Sequence, residues 1–130
     1  MSHHRHVVTA LNAPAAVGPY SHAVAARGLL FCSGQVPLDP ESGSLVGDTP
    51  SEQARRCLEN LQLVVGAAGA TLADAVRMTI YVTDMSAFAD VNRTYAEYFP
   101  ADPPARVTIG VAALPLGAQV EMDAVVALPD

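Results

Sequence analysis

The chain has no tryptophan, only two cysteines, and no apolar run approaching the about 20 residues that a membrane-spanning helix needs. The missing run excludes a spanning protein, and the N-terminus lacks the hydrophobic core of a secretion signal, so we expect a cytoplasmic protein with no membrane partner. Two cysteines are too few for a disulfide scaffold. Because Cys32 and Cys57 each lie in an apolar pattern, we expect reduced thiols packed in the core.

Charged residues are also scarce. They make up 15% of the chain, and 7 Lys and Arg against 13 Asp and Glu give a formal net charge of −6 at pH 7. The adjacent pair Arg55 and Arg56 is the densest cationic cluster. Because nucleic-acid binding needs concentrated positive charge along the phosphate backbone, we expect no nucleic-acid partner. A local site for a small anion stays compatible with this composition.

Apolar residues are abundant instead, at 51% of the chain with a mean hydropathy of +0.27. A chain of this length typically forms one domain, and we assign residues 1–130 to a single domain whose residues 1–6 form a flexible tail. A small domain with so little polar surface tends to cover apolar surface by association, so we expect a homo-oligomer.

The spacing of apolar residues predicts an α+β domain with the order β-β-β-α-β-α-β-β and both helices on one face of the sheet. The strands are expected at residues 6–10, 21–26, 29–33, 75–82, 106–112 and 118–128. In the fourth strand, the core face should carry Val76, Met78, Ile80 and Val82. The face without helices is expected to carry both Arg106 and Glu121.

The two helices are predicted from the signals at their ends. Thr49 is the expected N-cap of the first helix, Glu52 completes a capping box, and Gly69 ends the helix. Ser86 is the expected N-cap of the second helix, which Pro100 stops.

Arg106 and Glu121 are the candidate catalytic residues, because each lies in an otherwise apolar, strand-like run. Burying such groups is costly unless something binds them. The guanidinium of an arginine is a rigid fork of donors that suits a carboxylate ligand. Glu121 can then handle a proton or a water beside that ligand. On the residues alone, the alternative is that the two side chains pair with each other or face solvent.

Other chemistry-bearing residues give weaker signals. The chain lacks the CxxC, HExxH, GxGxxG, GxxxxGK[ST] and GxSxG patterns. His3, His4 and His6 are potential metal ligands, but a terminal run of this kind is typical of a flexible tail, so we predict no metal site. Cys32 is interpreted as a packed thiol rather than a nucleophile, and His22 as a solvent-exposed side chain.

Segments spread along residues 14–128 carry a resemblance to one family. They read GPYSHA, SGQVP, QARRCLENLQLVV followed by AAGATLADAV, YVTDMSAFADVNRTYAEYF, and PPARVTIGVAALPLGAQVEMDAVV. The last segment, with its P-A-R start and V-E-M close, is the most specific. By these segments the chain resembles the RidA family, also called YjgF-type proteins or reactive intermediate deaminases.

The resemblance implies a chorismate-mutase-like fold that assembles as a homotrimer with ligand sites between subunits. It also implies hydrolysis of 2-imino acids such as 2-iminopropanoate and 2-iminobutanoate, which arise from enamines such as 2-aminoacrylate. The implied products are 2-keto acids and ammonia, and no cofactor or metal is implied.

Residue by residue, Arg106 stands where the family binds the substrate carboxylate, and Glu121 stands where an acid positions the attacking water. The other implied substrate-binding residues are Tyr20, Ser33, Gly34, Asn92 and Thr108. Thr108 replaces a cysteine that is frequent in the family, so thiol-dependent regulation is not implied, whereas hydrolysis should not depend on that thiol.

Two alternatives stay open. The chain could be a deaminase of another enamine or imine acid in a degradative pathway, or a non-catalytic trimer that binds a small ligand or regulates a client. Ribonuclease activity, described for some relatives, is disfavoured by the acidic charge and the missing basic patch.

Overall fold

One mixed sheet organises residues 4–129, which are those that the computed structural model describes. Its six strands lie in the order β1-β2-β3-β6-β4-β5. They are β1 His6–Val8, β2 Ala23–Ala26, β3 Leu29–Gln35, β4 Ala75–Val82, β5 Ala105–Gly110 and β6 Val120–Ala127. Neighbouring strands are antiparallel except β4 and β5, which run parallel. The predicted α+β class and order of main elements are therefore confirmed.

Two helices cover one face of this sheet. They are α1, Pro50–Ala67, and α2, Phe88–Tyr98. The predicted capping box of α1 is confirmed, since the Glu52 amide donates to Thr49 Oγ1 at 3.2 Å and the Thr49 amide donates to Glu52 Oε1 at 3.1 Å. Gly69, with φ of 80°, follows the helix end as predicted.

The start of α2 differs from the prediction, and Ser86 is not its N-cap. A short 3₁₀ turn, Met85–Ala87, precedes the helix. The Asp84 carboxylate accepts the Ser86 amide at 2.9 Å, and α2 begins only at Phe88. Asp84 therefore stabilises the first turn because its carboxylate is placed two residues ahead of the donor.

Apolar side chains between the helices and the sheet form the core. The largest fully buried ones include Leu30, Leu58, Leu61, Met78, Ile80, Met122, Val64, Val65, Val91 and Val126. The two thiols, Cys32 and Cys57, are buried and free, as predicted. Val76 is an exception to the predicted core face, because the β4–β6 register shifts between Ala75 and Arg77 and leaves it 45% exposed.

The chain ends bear on two further expectations. Of the expected tail, residues 1–3 lie outside the described residues, and β1 begins at His6. Within residues 4–129, neither helix combines the length and the apolar character that crossing a bilayer requires.

Candidate active site

Six of the seven implied site residues fall into two separate cavities, and Thr108 lines neither of them. Tyr20, Ser33, Gly34 and Glu121 line a cavity of about 270 Å³, which we call the Glu121 pocket. Its other walls include Pro14, Ala15, Val17, Leu38, Pro115 and Leu116. A second cavity of about 310 Å³, the Arg106 pocket, is lined by Asn92, Tyr95, Ala96, Phe99, Pro103, Pro104 and Arg106.

A register shift on β3 brings Gly34 against Glu121. The pairing of β3 with β6 is irregular between Cys32 and Gln35. A Cβ atom built on Gly34 would lie only 2.0 Å from Glu121 Oε2. Any other residue at this position would collide with the carboxylate, so glycine allows the close approach.

The neighbouring Ser33 is held by the chain segment that precedes β2. Its Oγ donates to the Ser21 carbonyl at 2.6 Å, and its amide donates to the His22 carbonyl at 3.0 Å. Tyr20 is 45% exposed, and its hydroxyl accepts the Val17 amide at 3.3 Å. The wall opposite Glu121 is therefore a loop tied to β3 by hydrogen bonds.

The surroundings of Glu121 favour its neutral form. Burial, and then the negative charge of Asp123, raise the pKa of the Glu121 carboxyl. Asp123 lies two residues along β6 and accepts a hydrogen bond from the Tyr81 hydroxyl at 2.7 Å. A carboxyl with a raised pKa is a stronger general base once it is ionised. Sequence reasoning did not single out Asp123 or Tyr81.

Arg106 lies on the edge strand β5 and faces α2. Its Nη1 donates to Asn92 Oδ1 at 2.6 Å. The guanidinium carbon is 4.9 Å from the ring centroid of Tyr95 and 5.5 Å from that of Phe88, which is cation–π distance. Among the described residues, no carboxylate pairs with Arg106. Donors of the guanidinium therefore stay available for an anionic ligand.

Two buried hydroxyls near Arg106 also lack partners. Thr108 Oγ1 and Tyr95 Oη have no hydrogen bond to any described residue. Burial raises the pKa of Tyr95 to about 12, and the nearby positive charge of Arg106 opposes this shift. Both hydroxyls are therefore neutral donors at physiological pH.

Arg106 and Glu121 lie on opposite faces of the sheet. Arg106 pairs across β4 with the buried Met78, which places it on the helix-bearing face. Glu121 pairs with Tyr81 and alternates with the buried Met122, which places it on the helix-free face. The expectation that both residues share the helix-free face is wrong for Arg106. The alternative that the two side chains pair with each other is also wrong, because the sheet separates them.

The remaining candidates carry no chemistry within the described residues. Burial, reinforced by the charge of Asp123, raises the pKa of the Cys32 thiol to about 12, so the thiol is not a nucleophile at neutral pH. His22 is buried rather than solvent-exposed, which corrects the sequence interpretation. No group of three or more potential metal ligands assembles in residues 4–129; His3 lies outside them.

Comparison with known proteins identifies the family. A family model described as Endoribonuclease L-PSP matches residues 10–128. The RutC family protein y4sK of Sinorhizobium fredii is 48% identical over 117 residues, which are 90% of this chain and 93% of that protein. A mouse protein named 2-iminobutanoate/2-iminopropanoate deaminase is 44% identical over 121 residues, 93% of this chain and 90% of that protein.

A solved structure shows the same fold. The crystal structure of E. coli TdcF with bound serine has a TM-score of 0.90 and 35% identity, covering 95% of this chain and 99% of that one. These matches confirm the resemblance found in the sequence. The chain belongs to the Endoribonuclease L-PSP family, the family of the RidA and YjgF proteins.

Proposed function

We propose that the protein hydrolyses 2-imino acids to 2-keto acids and ammonia, at a site that two copies of the chain complete together. One observation carries the proposal. Arg106 has no carboxylate partner among residues 4–129 and Glu121 has a raised pKa, yet the two groups open on opposite faces of one sheet. The Arg106 pocket supplies a cation that binds an anion, and the Glu121 pocket supplies a proton acceptor.

The helix-free face supports the association of copies. Its exposed apolar side chains include Val7, Phe31, Val107 and Ile109. Two of them, Val107 and Ile109, lie on β5, which is an edge strand with an unpaired side. An apolar face beside an open edge favours burial against another chain. We propose a homotrimer in which Arg106 of one copy faces the Glu121 pocket of its neighbour.

In this arrangement the reaction needs few groups. Arg106 holds the substrate carboxylate with two charge-assisted hydrogen bonds and fixes the imine carbon. Glu121 orients a water and accepts its first proton as the oxygen attacks the carbon of the protonated imine, which gives a neutral carbinolamine. Glu121 then passes this proton to the nitrogen. The Glu121 carboxylate next takes the proton of the carbinolamine hydroxyl as the C–N bond breaks, the carbonyl forms and ammonia leaves, and Glu121 finally releases that proton to solvent. No metal or cofactor is part of this proposal.

The modest demand on catalysis fits the site. Imines of this kind hydrolyse in water without an enzyme, and positioned acid–base catalysis adds roughly 10²–10⁴-fold. Names and ligands of relatives agree with this chemistry: the mouse relative is named for 2-iminobutanoate and 2-iminopropanoate, and serine is bound in the TdcF structure. All three are small molecules that carry a carboxylate next to a carbon–nitrogen bond.

The alternatives from the sequence remain secondary. Another imine or enamine acid would use the same two groups, and a non-catalytic binding trimer would need only Arg106. The family description names an endoribonuclease, but Arg55 and Arg56 pair with Glu97 and Glu59 rather than forming a free basic patch. We therefore propose no nucleic-acid partner. We also propose a cytoplasmic location.

A competition assay tests the proposal. An amino-acid oxidase generates imino acids from several amino acids while semicarbazide traps them, and the protein should suppress semicarbazone formation. Arg106→Ala should abolish the suppression without changing the fold or the assembly. Arg93→Ala is the matched control, because Arg93 is exposed on α2 and pairs with Asp90. Absence of suppression by the unmodified protein on every imine would refute hydrolysis and leave the binding alternative.

A further inference from the structure

We infer that His22 is a positioning residue, whose neutral imidazole holds the loop that forms one wall of the Glu121 pocket. The inference rests on the proposed function for its kinetic consequence, but its structural basis is independent. His22 is 6% exposed, and it lines neither the Glu121 pocket nor the Arg106 pocket. Its role would therefore be exerted through the loop.

Two hydrogen bonds define the state of the imidazole. The Ala10 amide donates to Nδ1 at 2.9 Å, and Nε2 lies 2.8 Å from the Pro14 carbonyl oxygen. A backbone amide cannot accept and a carbonyl oxygen cannot donate. Nδ1 must therefore be unprotonated and Nε2 must carry the hydrogen, which is one specific neutral tautomer.

The loop that His22 holds contains no regular secondary structure, although Ala10 and Ala13 are buried in the core. No strand or helix is formed between the end of β1 at Val8 and the start of β2 at Ala23. Within this stretch, Pro14 and Val17 line the Glu121 pocket. The side chain of His22 spans from Ala10 to Pro14, and so fixes the segment that leads into the pocket wall.

The backbone of His22 joins this wall to the other side of the pocket. Its carbonyl accepts the Ser33 amide at 3.0 Å, and Ser33 precedes Gly34 on β3. His22 therefore links this loop to the strand that carries the close approach to Glu121. Loss of the imidazole bonds should shift the pocket wall relative to the carboxylate and weaken substrate binding.

Two substitutions separate hydrogen bonding from simple packing. His22→Gln keeps an acceptor and a donor on one side chain, whereas His22→Leu fills similar space and offers neither. Leucine leaves a buried amide and a buried carbonyl without partners, so KM should rise on the order of 10-fold. The kcat should change much less, because Arg106 and Glu121 are untouched. Glutamine should restore a KM close to that of the unmodified protein.

Nuclear magnetic resonance on the intact assembly tests the structural basis, and its first measurement needs no variant. The ¹⁵N shifts of the His22 ring should show an unprotonated Nδ1 and a protonated Nε2. Exchange of the Ala10 amide hydrogen should speed up on the order of 10-fold in His22→Leu and stay slow in His22→Gln. A ring protonated on Nδ1 would overturn the inference even if His22→Leu fails to fold.

The outcomes distinguish this inference from the proposed function. Should the unmodified protein lack imine hydrolysis, the proposed function fails, while the tautomer and the Ala10 exchange still decide the role of His22. If the unmodified protein is active, an unchanged KM in His22→Leu, or an equal rise in both variants, would show that the two hydrogen bonds do not position the wall.

Discussion

Replacing Gly34 by alanine should displace the Glu121 carboxylate and leave the fold intact. The added methyl carbon would lie 2.0 Å from Oε2 and 3.0 Å from Cδ of Glu121. Ordinary van der Waals contact begins at about 3.4 Å, so the oxygen must move by roughly 1.4 Å. The end of a glutamate side chain can rotate away, and Gly34 does not have a positive φ, so the backbone has no reason to rearrange.

We expect the Gly34→Ala substitution to lower the catalytic rate and not the stability of the fold. A displacement of about 1 Å at a catalytic group can lower the rate roughly 10²-fold, which corresponds to about 2.7 kcal/mol. In the semicarbazide competition assay, Gly34→Ala should therefore retain on the order of 1% of the kcat of the unmodified protein. Its melting temperature should stay close to that of the unmodified protein.

Two further variants make this prediction refutable. Gly66→Ala adds the same methyl within α1, where nothing lies within 4 Å of the new carbon, and activity should be unchanged. A Glu121→Ala background removes the atoms that collide. In that background, Gly34→Ala should cause no further loss of the residual kcat. Full activity in Gly34→Ala, or an additional loss in the double variant, would show that the position of this carboxylate does not control the reaction.

Other perturbations give separate expectations. Asp123→Asn removes the like charge and keeps an acceptor for Tyr81, so the pKa of Glu121 falls and the acid limb of the pH–rate profile moves to lower pH. Thr49→Ala loses the N-cap of α1 and should cost about 1 kcal/mol in the free energy of unfolding, measured by urea titration. Ile109→Asp places a charge on the helix-free face and should yield monomers in analytical ultracentrifugation, whereas Val46→Asp, at an exposed loop position, should not. A urea midpoint unchanged by Thr49→Ala, or assembled Ile109→Asp, would contradict the respective expectation.

Local signals in the sequence predicted the elements well. The alternation in β4 and the capping box of α1 act over a few residues. As expected, β4 spans residues 75–82 and α1 begins directly after its N-cap, Thr49. Errors arose where a neighbouring group competes. A register shift against β6 turned Val76 outward, and Ser86 lies in a 3₁₀ turn that the Asp84 carboxylate caps ahead of α2.

The face of Arg106 could not be predicted from the alternation in β5 alone. Apolar residues normally mark the core face, but Val107 and Ile109 point away from the helices and remain exposed in the single chain. Only the pairing with Met78, a contact between distant parts of the sequence, reveals that Arg106 faces α2. The burial and hydrogen bonds of His22 could not be predicted for the same reason, because its partners are backbone groups of a loop and leave no pattern in the sequence.

The residues that form the site were predicted from the family resemblance and not from the spacing of residues in the sequence. Tyr20 and Glu121 are about a hundred positions apart, and no periodicity connects them. The division into two pockets was visible only in three dimensions.

Subunit complementation tests the central claim, that Arg106 and Glu121 act together from different copies. The Arg106→Ala variant and the Glu121→Gln variant are each expected to be inactive alone. The two variants are unfolded together, refolded as a mixture and assayed for imine hydrolysis. In a cyclic assembly with random mixing, a site is complete when the copy that gives Arg106 carries Glu121→Gln and its neighbour carries Arg106→Ala. This happens at about one quarter of the sites. We therefore expect about one quarter of the activity of the unmodified protein after joint refolding, and none when the separately refolded variants are mixed without subunit exchange. Jointly refolded assemblies that contain both variants and remain inactive would contradict a site shared between copies.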